Sequence, residues 1–204
     1  RPGPVANVED LPTGSVVIVG QTQEDSVLSI SNDLADADGM RPLHFSWYRG
    51  TNASGYTIIT GASNVSYTLT QADVNKRVYA NINYTDLPGP QFDGMGTEYD
   101  ISSAATPLVG NVNDPPVGTV EIVPRVSITE DEILDASQNI TDEDGMPNPV
   151  SYQWNRDGSV ISGATDISYM LVQDDVDAVM TVIVSYTDAF GANETVTSEA
   201  TAAV

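Results

Sequence analysis

Apolar and polar residues alternate along several short stretches of the chain. In the stretch 78–84 every second residue is Val, Ala, Ile or Tyr, and the stretch 180–186 has Met, Val, Val and Tyr at the same spacing. A period of two is typical of β-strands with one buried face. Shorter alternations bounded by Gly, Pro, Asn or Asp surround Ile30, Trp47, Leu69 and Trp154, and each predicts a further strand. The pattern predicts an all-β fold with no more than a short helical turn near 71–75.

The first half of the chain recurs in the second half, with the same landmarks in the same order. The two halves are therefore homologous units, and the first must end before the motif that opens the second. We place the units at residues 1–108 and 109–204. The recurring segments are NVEDLPTG (7–14) and NVNDPPVG (111–118), ADADGM (35–40) and TDEDGM (141–146), ITGASNVSYTLTQADV (59–74) and ISGATDISYMLVQDDV (161–176), and NYTD (83–86) and SYTD (185–188).

The number of strands in each unit indicates the architecture. About seven short strands per unit is typical of an immunoglobulin-type sandwich. Trp47 and Trp154 fall on the buried face of their strands, and Asp73 and Asp175 stand where this fold uses an aspartate to organise the turn before the sixth strand. The sequence therefore predicts two tandem immunoglobulin-like antiparallel β-sandwiches.

The charge balance narrows the possible partners. The chain has 29 Asp plus Glu against 7 Lys plus Arg, for a net charge of −22. Such a surface repels nucleic acid and anionic membranes and attracts metal ions or a basic partner. The chain has no cysteine, which excludes disulfides and thiolate chemistry. Since no apolar run reaches the ~20 residues of a membrane span, we expect no membrane insertion; we also expect Arg1 to be an internal point of a longer protein.

Several motifs together resemble a known family. They are the lone Trp on the third strand, Leu-x-x-x-Asp at 69–73 and 171–175, the NVND linker, the Glu-Asp pair, the DxDG loop and SYTD. This set is similar to the tandem repeats of bacterial cadherin-like and RTX-type surface adhesins, and the similarity covers nearly the whole chain. It implies an extracellular, non-enzymatic protein in which Ca²⁺ rigidifies the linkers between neighbouring repeats, while other domains contact a host or surface glycan or protein.

The acidic loops suit calcium, which takes about six to eight oxygen ligands. In this strand order, the loop between the second and third strands and the loop after the sixth lie at the end where the chain enters a unit. We expect the upstream half-site to be weak or empty, because it lacks a preceding domain. The expected ligands are Glu24, Asp25, Asn111, Asn113, Asp114, Asp142, Asp144 and Asp188 at the junction between the units, and Asn7, Asp10, Asp36, Asp38 and Asp86 at the upstream half-site.

Other interpretations of the same residues remain open. DxDG can be a simple turn, with the glycine at positive φ and the aspartates bonded to backbone amides. An EF-hand is excluded, because its twelfth position is Trp47 or Gln153 rather than Glu. An enzyme is disfavoured, because His44 is the only histidine and the paired carboxylates are too close in sequence for a glycosidase.

The alternative function is binding of a carbohydrate or protein by the first unit. That unit has insertions near 50–56 and 87–96 that the second unit lacks. The stacking candidates there are Tyr48, Tyr56, Phe92 and Tyr99. Because the fold places the two insertions at opposite ends of the sandwich, we do not expect one shared pocket.

Overall fold

The computed structural model describes residues 9–52, 55–87 and 96–204. The chain divides into two compact units, residues 1–112 (unit 1) and 113–204 (unit 2). The division follows residue 112 rather than 108 because Val109 belongs to the core of unit 1, where it is 1% exposed. Its N–H donates to the Lys76 carbonyl, and its own carbonyl accepts from the Asn75 N–H.

The described residues of each unit form one three-stranded and one four-stranded antiparallel sheet. The orders are β1-β2-β5 and β4-β3-β6-β7 in unit 1, and β8-β9-β12 and β11-β10-β13-β14 in unit 2. Both orders are those of an immunoglobulin-type sandwich, so the predicted all-β sandwich fold is confirmed. The strands are β1 Val16–Val19, β2 Val27–Asn32, β3 His44–Gly50, β4 Thr57–Ile58, β5 Ser66–Thr68, β6 Arg77–Thr85, β7 Glu98–Ser102, β8 Val120–Pro124, β9 Ile133–Gln138, β10 Ser151–Arg156, β11 Ser159–Val160, β12 Ser168–Met170, β13 Met180–Thr187 and β14 Asn193–Thr197.

A single tryptophan lies at the centre of each core. Trp47 on β3 and Trp154 on β10 are both fully buried, as the alternation predicts. Each indole N–H donates to a backbone carbonyl, that of Asn64 in unit 1 and that of Asp166 in unit 2, both at 2.9 Å. The polar atom of the ring is thus satisfied, and the apolar body fills the space between the sheets.

A buried aspartate fixes the short 3-10 turn before the sixth strand of each unit. The turns are Gln71–Asp73 and Gln173–Asp175. Asp73 is fully buried and accepts hydrogen bonds from the Thr70 N–H at 2.9 Å, the Tyr67 hydroxyl at 2.7 Å and the Arg49 guanidinium at 3.2 Å. Burial and this bond to Asp73 raise the pKa of Tyr67 to about 12.

The same network recurs in unit 2. Asp175 accepts from the Val172 N–H at 2.8 Å, the Tyr169 hydroxyl at 3.0 Å and the Arg156 guanidinium at 2.6 Å. A buried carboxylate is tolerated where donors surround it and a cation neutralises it. The predicted turn-organising aspartates are therefore structural.

Among the residues that the structure describes, no helix is both long enough and apolar enough to cross a membrane.

Replacing Asp73 with Ala is expected to lower the free energy of unfolding by about 3 kcal/mol, because it removes the partner of the Arg49 charge, the Tyr67 hydroxyl and the Thr70 backbone amide. Urea denaturation followed by tryptophan fluorescence measures the change. The matched control is Asp135→Ala, which breaks an exposed ion pair with Arg125 at 2.7 Å and a hydrogen bond from the Ser168 hydroxyl at 2.6 Å. Solvent screens that pair, so its loss is expected to be much smaller. Equal losses in the two variants would contradict the structural role of Asp73.

Candidate metal centre

The leading end of unit 1, where the chain enters the sandwich, gathers acidic residues from three separate stretches. They are Glu9 and Asp10 in the incoming chain, Asp36 and Asp38 between β2 and β3, and Asp86 directly after β6. Glu9, Asp38 and Asp86 each offer a carboxylate oxygen, and these oxygens all lie within 4.8 Å of one another. This group can supply three anionic oxygens to one cation.

The DxDG loop forms a tight turn in both units. The Asp38 N–H donates to Asp36 Oδ1 at 2.9 Å, and the Asp144 N–H donates to Asp142 Oδ1 at 2.8 Å. Gly39 has a φ of +88°, and the glycine at the same position of unit 2 has +93°, a conformation that favours glycine. The turn interpretation is correct for the backbone. It does not compete with ligand binding, because each carboxylate has about four acceptor sites.

A tyrosine hydroxyl fixes the first aspartate of each DxDG loop. Tyr84 donates to Asp36 Oδ2 at 2.8 Å, and Tyr186 donates to Asp142 Oδ2 at 2.6 Å. Burial raises the pKa of both phenols, and the neighbouring carboxylates raise it further. The hydroxyls therefore remain protonated donors, and they hold the loop carboxylates in place.

The second aspartate of the loop is tied to the incoming chain. Asp38 Oδ2 accepts from the Asp10 N–H at 2.9 Å, and Asp144 Oδ2 accepts from the Asp114 N–H at 2.8 Å. Asp144 is 1% exposed. In each unit the predicted linker residue and the predicted loop residue are thus brought together by a charge-assisted hydrogen bond.

The aspartate that follows the sixth strand is the most informative residue of the site. Asp188 is 7% exposed, and its Oδ1 accepts from the N–H groups of Phe190 and Ala192, both at 2.8 Å. Its Oδ2 is buried and has no hydrogen-bond partner among the described residues. The equivalent Asp86 is 1% exposed and accepts from the Thr97 N–H. A buried anionic oxygen without a donor is unfavourable unless a cation approaches it.

Electrostatics in unit 1 favour a cation. Burial raises the pKa of Asp86, and the neighbouring charges of Glu9 and Asp36 raise it further. A hydrogen bond from the Tyr99 hydroxyl, at 2.6 Å, lowers the pKa of Glu9. Two carboxylates about 4 Å apart repel by about 4 kcal/mol at an effective dielectric of about 20. A bound divalent ion would convert this repulsion into attraction.

The leading end of unit 2 has the same framework but a different residue in the incoming chain. Asn113 stands at the repeat position of Glu9, and its Nδ2 donates to Glu194 Oε1 at 2.9 Å. An amide oxygen is a neutral calcium ligand, whereas a carboxylate carries a charge. The other predicted ligands of unit 2 that the structure places at this end are Asp114, Asp142, Asp144 and Asp188.

Three predicted ligands of unit 1 lie at its trailing end, where the chain leaves the sandwich. Glu24 is 3% exposed; its N–H donates to the Gly110 carbonyl, and its Oε2 accepts from the Val112 N–H at 3.3 Å. Asn111 Oδ1 is buried without a hydrogen-bond partner in the described part of the chain. Asp25 is exposed with a φ of 62°. Within unit 1 these residues therefore lie at the trailing end, whereas Asp38 and Asp86 lie at the leading end.

Some site residues could not be tested, and others were missed by the sequence interpretation. Asn7 lies outside the described residues. Glu9 was not predicted, although its alignment with Asn113 was the available signal. The hydroxyl of Tyr84 was also missed, because the alternation assigns that residue to the core and does not reveal where its polar end reaches.

Comparison of the sequence with protein-family models and with curated proteins gives no match. The assignment of the site therefore rests on its geometry and on its recurrence in the two units.

Asp188→Asn is expected to raise the free energy of unfolding of the metal-free protein by about 1 kcal/mol, because it removes a buried charge and replaces an oxygen that lacks a donor. Asn keeps the oxygen that accepts from the backbone. Denaturation in excess chelator measures the effect. Asp177→Asn is the control, since Asp177 is exposed, its φ of 66° is one that Asn tolerates, and Asn75 stands at the same repeat position of unit 1. A destabilised Asp188→Asn protein would show that Asp188 Oδ2 needs no cation.

Proposed function

We propose that the chain is a pair of calcium-binding, cadherin-like repeats of a bacterial cell-surface or secreted adhesin. In this proposal the repeats are non-enzymatic, and Ca²⁺ rigidifies the linkers between them. The observation that carries it is the buried Asp188 Oδ2 at the leading end of unit 2, which lacks a hydrogen-bond partner in the described chain. The recurrence of the same bonded framework around Asp86 supports it.

The ligand chemistry favours calcium over other metals. The clustered ligand atoms are carboxylate oxygens, which suit hard cations, and the chain has no cysteine. Magnesium demands a small, nearly ideal octahedron and retains water, whereas calcium accepts more oxygens in a flexible arrangement. Carboxylates drawn from three separate stretches of chain fit the flexible arrangement better.

The proposed linker role is supported by the bonds of the incoming chain. The N–H groups of Asp10 and Asp114 donate to the loop carboxylates Asp38 and Asp144. A cation held by those carboxylates would fix the residues that enter each unit and limit the freedom of the linker. In such a role the partners are neighbouring repeats of the same protein, and adhesion to a glycan or protein belongs to other domains.

Calcium is expected to raise the melting temperature of the protein. Binding at one hundred times the dissociation constant stabilises the folded state by about 2.7 kcal/mol per site. The Asp144→Ala and Asp188→Asn variants should lose much of this gain, because each removes an anionic ligand from unit 2. Scanning calorimetry with chelator or calcium measures the shift.

The Asp177→Asn variant serves again as the control and should keep the full calcium effect. Isothermal titration tests the same proposal directly. No heat of calcium binding at millimolar concentration, together with an unchanged melting temperature, would refute it.

A second candidate, carbohydrate binding by unit 1, is favoured by a cluster of aromatic side chains. Tyr48 and Tyr79 stack on adjacent strands with centroids 4.7 Å apart, and the edge of Tyr56 meets the Tyr79 ring at 4.9 Å. In unit 2 the paired positions hold Asn155 and Thr181. The sheet therefore forms without these rings, which leaves them available for stacking on a sugar. Tyr99 belongs to the leading end instead, and Phe92 lies outside the described residues.

Glycan-array binding of the whole chain tests this candidate. If unit 1 binds a neutral sugar, the double variant Tyr48→Asn, Tyr79→Thr should lose the signal, since it introduces the residues of unit 2 at the stacked pair. Asp188→Asn should retain the signal, because it alters only the leading end of unit 2. A glycan signal that survives the double variant would exclude the tyrosines as its origin.

A further inference from the structure

One hydrogen bond is present in both units with its donor and acceptor exchanged. In each unit this bond joins a residue of the incoming chain to a residue of the last strand. In unit 1 the Tyr99 hydroxyl donates to Glu9 Oε1 at 2.6 Å. In unit 2 Asn113 Nδ2 donates to Glu194 Oε1 at 2.9 Å.

The strand register establishes that these positions are equivalent. Tyr99 pairs with Tyr84 across β6 and β7, and Glu194 pairs with Tyr186 across β13 and β14. Tyr84 and Tyr186 are the two tyrosines that bond the DxDG loops. The exchange therefore moves a carboxylate from the incoming chain in unit 1 to the last strand in unit 2, and keeps the hydrogen bond.

The exchange changes the charge at the cation cluster. Glu9 offers a carboxylate oxygen within 4.8 Å of those of Asp38 and Asp86. At the same position in unit 2, Asn113 offers a neutral oxygen. Calcium affinity in oxygen sites depends on the number of charged ligands and on the rigidity of the site. The Tyr99 hydroxyl adds rigidity, because it fixes the Glu9 carboxylate without adding a charge.

The leading end of unit 2 is supported as a ligand site by an observation other than its charge. Asp188, the counterpart of Asp86, is more than nine-tenths buried, and its Oδ2 has no hydrogen-bond partner in the described chain. The position after the sixth strand thus presents an unsatisfied anionic oxygen to whatever occupies the leading end. In unit 1 the equivalent position is Asp86, and the Glu9 carboxylate lies beside it.

We infer that the pair of residues joining the incoming chain to the last strand sets the calcium affinity of each leading site, and that Glu9 with Tyr99 completes the site of unit 1 within that unit alone. This inference rests on the proposed calcium binding. It reverses the sequence expectation that the upstream half-site is weak or empty without a preceding domain. Glu9 and Glu194 are affinity-determining residues in this view, and Tyr99 is a positioning residue.

The test exchanges the pairs between the units in the full chain. The variant Glu9→Asn, Tyr99→Glu gives unit 1 the pair of unit 2, and Asn113→Glu, Glu194→Tyr does the reverse. Each unit then carries a pair that the other unit accommodates. Calcium titrations followed by the amide NMR signals of Gly39 and Gly145 report the two loops separately. The calcium midpoint of each loop in a variant is compared with the midpoint of the same loop in the parent protein. The additional Glu143 of unit 2 therefore does not affect the comparison.

The expected result is a change in opposite directions. In the first variant the Gly39 midpoint should rise about tenfold in calcium concentration, as one charged ligand is lost, while the Gly145 midpoint stays constant. In the second variant the Gly145 midpoint should fall by a similar factor. Tyr99→Phe, which keeps the charge of Glu9, should raise the Gly39 midpoint by a smaller factor.

Two outcomes would overturn the inference, and they are distinguishable. If both signals titrate with calcium but neither midpoint moves on exchange, the pair does not set the affinity, and the proposed function stands. If neither signal responds to millimolar calcium in the parent protein, the proposed function fails and the inference fails with it.

Discussion

The leading end of each unit depends on a carboxylate held in the protein interior by backbone amides. Asp86 and Asp188 are nearly inaccessible to water, and burying a charge is costly unless it is paired or well bonded. Backbone donors satisfy Oδ1 of Asp188, whereas Oδ2 has no donor in the described chain. A positive charge beside this oxygen would therefore be favourable. The negative charges of the neighbouring carboxylates make it more favourable still.

The position of this carboxylate follows from the periodicity that forms the core. Side chains two residues apart on a strand point to the same face. Val184 and Tyr186 are buried at the end of β13, and Asp188 continues the series directly after the strand. The tyrosine hydroxyl then reaches Asp142, so the same face provides both the loop anchor and the buried aspartate. One alternating pattern therefore builds the core and its charged end.

The features that sequence could predict are those with a short period or a nearby repeat. Alternation predicted β6 and the burial of Trp47, and the repeat predicted equivalent loops at Asp36 and Asp142. Contacts set by register across the sandwich were not visible. The bond from Tyr99 to Glu9 joins residues 90 positions apart, and it exists because β7 pairs with β6 in one particular register. Glu9 was missed for that reason.

The compact units divide after residue 112, four residues later than the boundary placed by the opening motif, because that motif overlaps the last contacts of unit 1. The sequence motif assigns residue 109 and those after it to the second unit. Val109 nevertheless lies in the core of unit 1, and the Val112 N–H donates to Glu24. The chain up to residue 112 therefore packs against and bonds to unit 1. A linear motif marks where a repeat begins in sequence, whereas compactness depends on which side chains are buried together.

The turn that the DxDG loop forms is compatible with the proposed role of its aspartates as ligands. Backbone and tyrosine donors hold Asp36 and Asp142, and the core of each unit packs around its tryptophan. The apolar core therefore does not include the candidate ligands, whereas in a zinc finger the metal ligands hold the fold together. If a cation binds as proposed, its free energy of binding would act on side chains that these hydrogen bonds already position, and would stabilise the leading end and the incoming chain.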